Sequence, residues 1–227
     1  MVAHVLVVCE GNICRSPAAE ILLRDALGGD VGIEVASAGL AARVGEPVDE
    51  TVRRLLLLRG LPAEGRARQL TADLVRAADV VLTMTAAQRA AVVSRVPAAV
   101  RRTFALREFA ALAQLGGSLG EPGPAGRLDV LVGSAGRLRA LRGPSHDDDV
   151  LDPYGRGEAA HARALALVTE AVGDLVDVLT PIRPRSVSAG PHPLARSGDM
   201  PVGAMTQRSG PAGLKARGSR RADTGER

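Results

Sequence analysis

Cys9 and Arg15 bracket the short stretch Glu10-Gly11-Asn12-Ile13-Cys14, and Ser16-Pro17 follow at once. A cysteine followed by an arginine at this spacing is weak on its own in so arginine-rich a chain, and it is the surroundings that give it meaning. A loop that leaves a buried strand and enters a helix N-terminus turns successive backbone N–H groups into one concavity, where the helix dipole also favours an anion. Arg15 can close such a pocket with two parallel hydrogen bonds to phosphoryl oxygens, a geometry that Lys does not supply. In that field Cys9 is favoured as thiolate, and so as nucleophile. Ser16 can donate to the sulfur before attack and again when the sulfur leaves, besides acting as an ordinary N-cap. The loop Glu10, Gly11, Asn12, Ile13, Cys14, Arg15 and Ser16 is therefore expected to cradle a phosphate-like oxyanion.

A departing oxyanion is a poor leaving group without a proton, so a carboxylic acid is needed as well. Asp147, Asp148, Asp149 and Asp152 share one polar loop, and residue type and spacing do not choose among them. The first three read as a solvated charge run.

The elements that must position these groups follow from periodicity. His4 to Val8 is an apolar run suited to a buried parallel strand, and residues 31–36 alternate as a second strand. Between them residues 17–27 carry a helical pattern stopped by Gly28-Gly29, which makes a right-handed βαβ unit. A helix over 48–59, a short one capped by Thr71, a third strand over 79–84 and a helix opened by Thr85 and Gln88 come next. Residues 100–105 make a fourth strand at an edge or a loop, because Arg101 and Arg102 do not belong in a sheet interior. Helical patterns follow over 106–115, weakly over 127–141, and most strongly over 158–179. The fold class is α/β: a doubly wound, four-stranded parallel sheet with helices on both faces and the phosphate-binding loop after the first strand.

Composition narrows the class. Of 227 residues 46% are hydrophobic but only 1% aromatic, so the core is built from Val, Leu and Ala. The net charge of +4 belongs to residues 181–227, a basic, Pro- and Gly-rich segment expected to be a disordered tail outside a domain of residues 1–180. With no aromatic residue there for base stacking, nucleic acid is not an expected partner. No apolar run approaches the roughly 18 residues of a membrane span, and the start lacks a basic leader pattern, so a cytoplasmic location is expected. Two cysteines and four histidines scattered along the chain (His4, His146, His161, His192) give no metal-ligand cluster, and neither metal nor cofactor is expected. Cys14 is close enough in sequence to Cys9 for a reversible disulfide under peroxide.

The run Val7-Val8-Cys9-Glu10-Gly11-Asn12-Ile13-Cys14-Arg15-Ser16-Pro17 resembles the phosphate-binding loop of low-molecular-weight protein tyrosine phosphatases. Ser37-Ala38-Gly39 and Asp152-Pro153-Tyr154 match that family's two further motifs in order, over about residues 3–180. The resemblance implies hydrolysis of phosphotyrosine through a phosphocysteine on Cys9, with Arg15 holding the equatorial oxygens and Asp152 as general acid and then base. It implies Asn12 and Ser37 as braces of the loop and Tyr154 as a wall against the aromatic ester. A phosphotyrosine protein and a cognate tyrosine kinase are the implied partners. An arsenate reductase using a small external thiol and a non-catalytic phosphotyrosine-binding module are the alternatives. The chain departs from the pattern at Leu40, at Gly65, where many members carry His, and at Thr85, where they carry Asp. Support of the loop is thus where this chain differs most from its relatives, and Glu10 at the mouth should repel acidic peptides.

Overall fold

The structure is a computed structural model that describes residues 2–180, except 30, 118, 119, 121, 122, 144 and 146. The expected tail at 181–227, His146 and His192 lie outside the described residues.

Four parallel strands, β1 (Ala3–Cys9), β2 (Ile33–Gly39), β3 (Val80–Thr83) and β4 (Thr103–Ala105), stand in the order β2-β1-β3-β4. β1 is central and reads as an apolar run because both its faces are covered. Val5, Val7 and Cys9 enter one core, Leu6 and Val8 the other. The first core is shared with α1 (Arg15–Leu27), α2 (Glu50–Leu57), α5 (Leu106–Gly116), α6 (Pro124–Arg142) and α7 (Gly157–Leu179), the second with α3 (Ala72–Ala77) and α4 (Ala86–Arg95). Having few rings, the larger core uses its two phenylalanines as one pair, Phe104 on Phe109, with centroids 4.7 Å apart.

From β1 the chain first crosses to β2 and then returns past β1 to β3. The carboxyl ends of β1 and β3 therefore flank the point where strand order reverses, the usual place for a ligand crevice in an open α/β sheet. The loop after β1 opens there.

Two expected elements shift. The fourth strand is cut to three residues because 97–102 wind into a 3-10 turn, tied by Thr103 Oγ1 donating to the Ala99 carbonyl at 2.8 Å, which keeps Arg101 exposed. The first helix begins at Arg15, two residues before Pro17, so that Arg15 and Ser16 belong to its first turn. Thr85 does cap α4, accepting from the Gln88 N–H at 3.1 Å, but the Gln88 side chain reaches back to the Met84 N–H and not to the cap.

Candidate active site

The loop between β1 and α1 is held from the side by backbone. Leu40, Ala41 and Arg43 donate their N–H groups to the carbonyls of Cys9, Glu10 and Gly11 at 2.9–3.0 Å, and Asp49 N–H donates to Ile13 at 2.8 Å. With its carbonyls drawn outward, the loop turns its N–H groups inward. Among the described residues, those of Gly11, Asn12, Ile13 and Cys14 meet no acceptor. Gly39 is required for this contact: a Cβ there would stand 2.6 Å from the Glu10 carbonyl oxygen.

Asn12 makes the turn itself. Its φ of 54° is the only positive value at a non-glycine position among the described residues, in the left-handed region that Asn enters at least cost after Gly. Its Oδ1 accepts from Arg68 N–H at 2.9 Å, which fixes the amide so that Nδ2 donates to Ser16 Oγ at 2.9 Å and Ser37 Oγ at 2.8 Å. With a donor already on its oxygen, the Ser16 hydroxyl keeps its hydrogen for Cys9, whose Sγ is 3.0 Å away.

Arg15 is 4% exposed and forms the far wall. Nη1 donates to the Val150 carbonyl at 3.0 Å and Nη2 to Asp152 Oδ2 at 2.6 Å. Nε is buried and has no hydrogen-bond partner. An orphan donor on a buried cation is costly unless a ligand is meant to take it.

Asp152 comes from the loop between α6 and α7, where the reading of Asp147, Asp148 and Asp149 as a solvated charge run holds for the exposed Asp147 and is corrected for the other two. Asp148 holds Arg142 bidentately at 2.6 and 2.7 Å, and Asp149 accepts from Ala86 N–H at 2.8 Å, at the start of α4. Val150 is fully buried and donates to the Met84 carbonyl at 2.7 Å. A helix start and a strand end thus pin the loop two residues before Asp152, whose Oδ1 accepts from Tyr154 N–H at 3.2 Å. Among the four aspartates left open by the sequence, only Asp152 reaches Arg15.

Cys9, Glu10, Gly11, Ile13, Cys14, Arg15, Ala41, Arg43, Asp152 and Tyr154 enclose a cavity of about 160 Å³. Glu10 is exposed and belongs to its lining. A larger cleft, about 630 Å³, runs behind the Asp152 loop past Arg107 and Arg163, with no thiol or hydroxyl nucleophile in its lining. Tyr154 is half exposed, and the Arg43 guanidinium lies over its ring, 4.9 Å from the centroid. The pocket therefore joins a buried thiol, a cationic wall, a nest of free N–H groups and a carboxyl opposite: the parts of a phosphoryl-transfer site.

Three contributors escaped the sequence reading. Arg68 braces the loop through its N–H on Asn12 and through Nε on the Ser37 carbonyl at 2.6 Å. Support therefore comes from the segment after Gly65, although that glycine takes the place of a side chain. Backbone bonds leave no signature in residue type, so this brace had no signal. Arg43 could have been flagged only as one arginine among many. The third is a ligand cluster: Cys14, Asp49 and His161 bring their sulfur, oxygen and nitrogen within 4.8 Å of one another. The expectation that scattered histidines give no such cluster is corrected, because α7 packs on α1 and α2 and carries His161 to the loop.

Both thiols are free and buried. The Cys14 thiol is pushed up to about 12, first by burial and then by the negative charge of Asp49, with Arg15 opposing. No helix among the described residues is long and apolar enough to cross a membrane.

Residues 4–124 match the family model described as "Low molecular weight phosphotyrosine protein phosphatase". The "Probable low molecular weight protein-tyrosine-phosphatase EpsP" of Ralstonia nicotianae is 44% identical over 110 residues, 48% of this chain and 74% of that protein. A "Protein-arginine-phosphatase" of Geobacillus stearothermophilus is 37% identical over 106 residues, 47% and 70% of the two chains. Among solved structures, the tyrosine phosphatase AmsI of Erwinia amylovora superimposes with a TM-score of 0.59 at 28% identity, covering 79% of this chain and 95% of that one.

Proposed function

The chain belongs to the low-molecular-weight phosphotyrosine protein phosphatase family, and on that premise we propose how its residues divide the reaction. The substrate is a protein phosphotyrosine. Its phosphoryl group enters the cavity with equatorial oxygens on the free N–H groups of residues 11–14 and on Arg15, whose orphaned Nε is the single observation that carries the reading. Cys9 Sγ attacks phosphorus in line, forming the P–S bond as the P–O bond to the tyrosine oxygen breaks. Asp152 gives its proton to that oxygen, so the leaving group departs as neutral phenol. A water then attacks phosphorus, gives its proton to Asp152 and displaces the sulfur, which releases inorganic phosphate. At both steps Ser16 stabilises the sulfur anion by donating to it.

The substrate's ring leaves the pocket alongside the stacked Tyr154 and Arg43, which together form one side of the mouth. A tyrosine kinase acting on the same protein would supply the substrate, and two free thiols accord with a reducing cytoplasm. The test is metal-free hydrolysis of phosphotyrosine and phosphoarginine peptides, with arsenate reduction by a small thiol measured beside them. Turnover of the phosphotyrosine peptide, lost in Cys9→Ser, is the expected result. Hydrolysis of phosphoarginine alone, or arsenate reduction alone, overturns the substrate assignment.

A further inference from the structure

His161 lies in α7, 5% exposed. Its Nδ1 is 2.8 Å from the Gly157 carbonyl oxygen. A carbonyl can only accept, so Nδ1 carries the hydrogen, and in the neutral ring Nε2 presents a lone pair. That lone pair faces Asp49 Oδ1 at 3.4 Å and Cys14 Sγ at 4.0 Å. Asp49 Oδ1 already accepts from the Thr51 and Val52 N–H groups, and the Cys14 hydrogen can serve only one of the two acceptors, so the nitrogen lone pair and the carboxylate oxygen still face one another. A cation placed between the three atoms resolves the arrangement.

We propose that Cys14, Asp49 and His161 form a metal site for a borderline-soft divalent ion of the Zn²⁺ type, placed under the phosphate-binding loop and separate from the catalytic thiol. Thiolate, imidazole and carboxylate are the zinc ligand types, and with bonds of about 2.0–2.3 Å a tetrahedral ion holds its ligand atoms roughly 3.3–3.7 Å apart. The His161–Asp49 distance of 3.4 Å already meets that spacing, the His161–Cys14 distance of 4.0 Å needs a small inward shift, and the Cys14 sulfur lies within 4.8 Å of the Asp49 oxygen. The Nδ1–H bond to a backbone carbonyl is the support that metal-bound histidines ordinarily receive, fixing tautomer and ring orientation. On binding, the sulfur–metal bond replaces the S–H bond and the proton passes to solvent. The negative charge of Asp49, which opposes the bare thiolate, then favours the complex.

The ion ties three elements together: the loop through Cys14, the start of α2 through Asp49, whose Oδ1 also caps the Thr51 and Val52 N–H groups, and α7 through His161. Nothing in the catalytic steps passes through it.

The test is titration of the chelator-treated full chain with Co²⁺, read by thiolate-to-cobalt charge-transfer absorption, followed by addition of Zn²⁺. One equivalent should bind with a thiolate band in the wild type and equally in Cys9→Ser, and Zn²⁺ should displace it. Cys14→Ser should abolish the band, and His161→Ala should weaken binding by at least about 100-fold, since even supporting residues of metal sites cost 10–100-fold. Asp49→Asn keeps an oxygen for the α2 cap and should weaken binding while the thermal melt stays unchanged, which covers the case where His161→Ala does not fold. A band lost in Cys9→Ser and kept in Cys14→Ser, binding unaffected by Asp49→Asn and His161→Ala, or no thiolate band at all, overturns the proposal.

Discussion

Arg15 Nη2 and Asp152 Oδ2 stand 2.6 Å apart, so the cationic wall holds the very carboxyl that the proposed reaction assigns to the leaving group. The same guanidinium spends Nη1 on Val150 and leaves Nε without a partner. An arriving phosphoryl group, carrying more charge than a carboxylate, takes Nε and competes for Nη2. In the proposed reaction Asp152 is then released toward the ester oxygen.

Replacing Asp152 with Asn removes the proton donor and the anion that Arg15 holds. Turnover of esters with poor leaving groups should fall by about 10²–10⁴, the range for general acid–base catalysis, and 4-nitrophenyl phosphate should suffer much less. Steady-state kinetics over a series of phenols checks this, and equal losses across the series would point to another acid.

Asn12 bonds three partners from a left-handed backbone position. Asn12→Ala should cost roughly 2–4 kcal/mol, from buried hydrogen bonds worth about 1 kcal/mol each and a side chain less tolerant of that region. Asn12→Gly relieves the backbone part, so urea unfolding should find it more stable than Asn12→Ala yet still inactive or nearly so.

At Gly39 an added methyl meets the Glu10 carbonyl oxygen at 2.6 Å and Ala42 Cβ at 2.9 Å, a backbone atom and a methyl that has no rotamer to swing into. Gly39→Ala should destabilise by roughly 1–3 kcal/mol, as overpacking does. It should also push the loop off its geometry, seen as a fall in kcat larger than any change in KM.

Much of this was legible. The apolar run at β1 and the residues that follow it announce strand, loop and helix. The parallel sheet with helices on both faces followed from the alternation of strands with helices, whereas the order β2-β1-β3-β4 left no mark in the sequence. Asp152 could not be chosen from Asp147, Asp148 and Asp149 by residue type, because the difference is made by Val150, whose buried backbone bonds to Met84 and Arg15 set the loop's register. Arg68 was hidden for the same reason: the atom that matters most is its N–H. His161 looked like one scattered histidine because only packing of α7 on the loop's own helix shows what it meets.

Cys14 is 4% exposed and its thiol is pushed up to about 12. In chelator-treated protein at neutral pH, peptide mapping after iodoacetamide should find Cys9 alkylated and Cys14 modified only on unfolding. Because the folded thiol holds its proton above the value of 9.0 usual for an exposed one, its contribution to stability is complete below pH 9 and is lost as pH rises toward 12. Cys14→Ser should flatten that alkaline decline in the urea midpoint.

Arg43 over Tyr154 is a solvent-exposed cation–π contact, at the weak end of that interaction. Arg43→Ala should therefore change KM for aryl phosphates by no more than about fivefold and leave kcat near the wild-type value.

The central claim is that phosphorus is transferred to Cys9 and returned to water with the help of Asp152. Intact-protein mass spectrometry of Asp152→Ala, mixed rapidly with 4-nitrophenyl phosphate and quenched, tests it most directly. The activated ester should still phosphorylate the enzyme while the missing base slows release, so one phosphoryl group should accumulate on the peptide containing Cys9. Absence of that adduct, together with undiminished turnover by Cys9→Ser, would contradict the account.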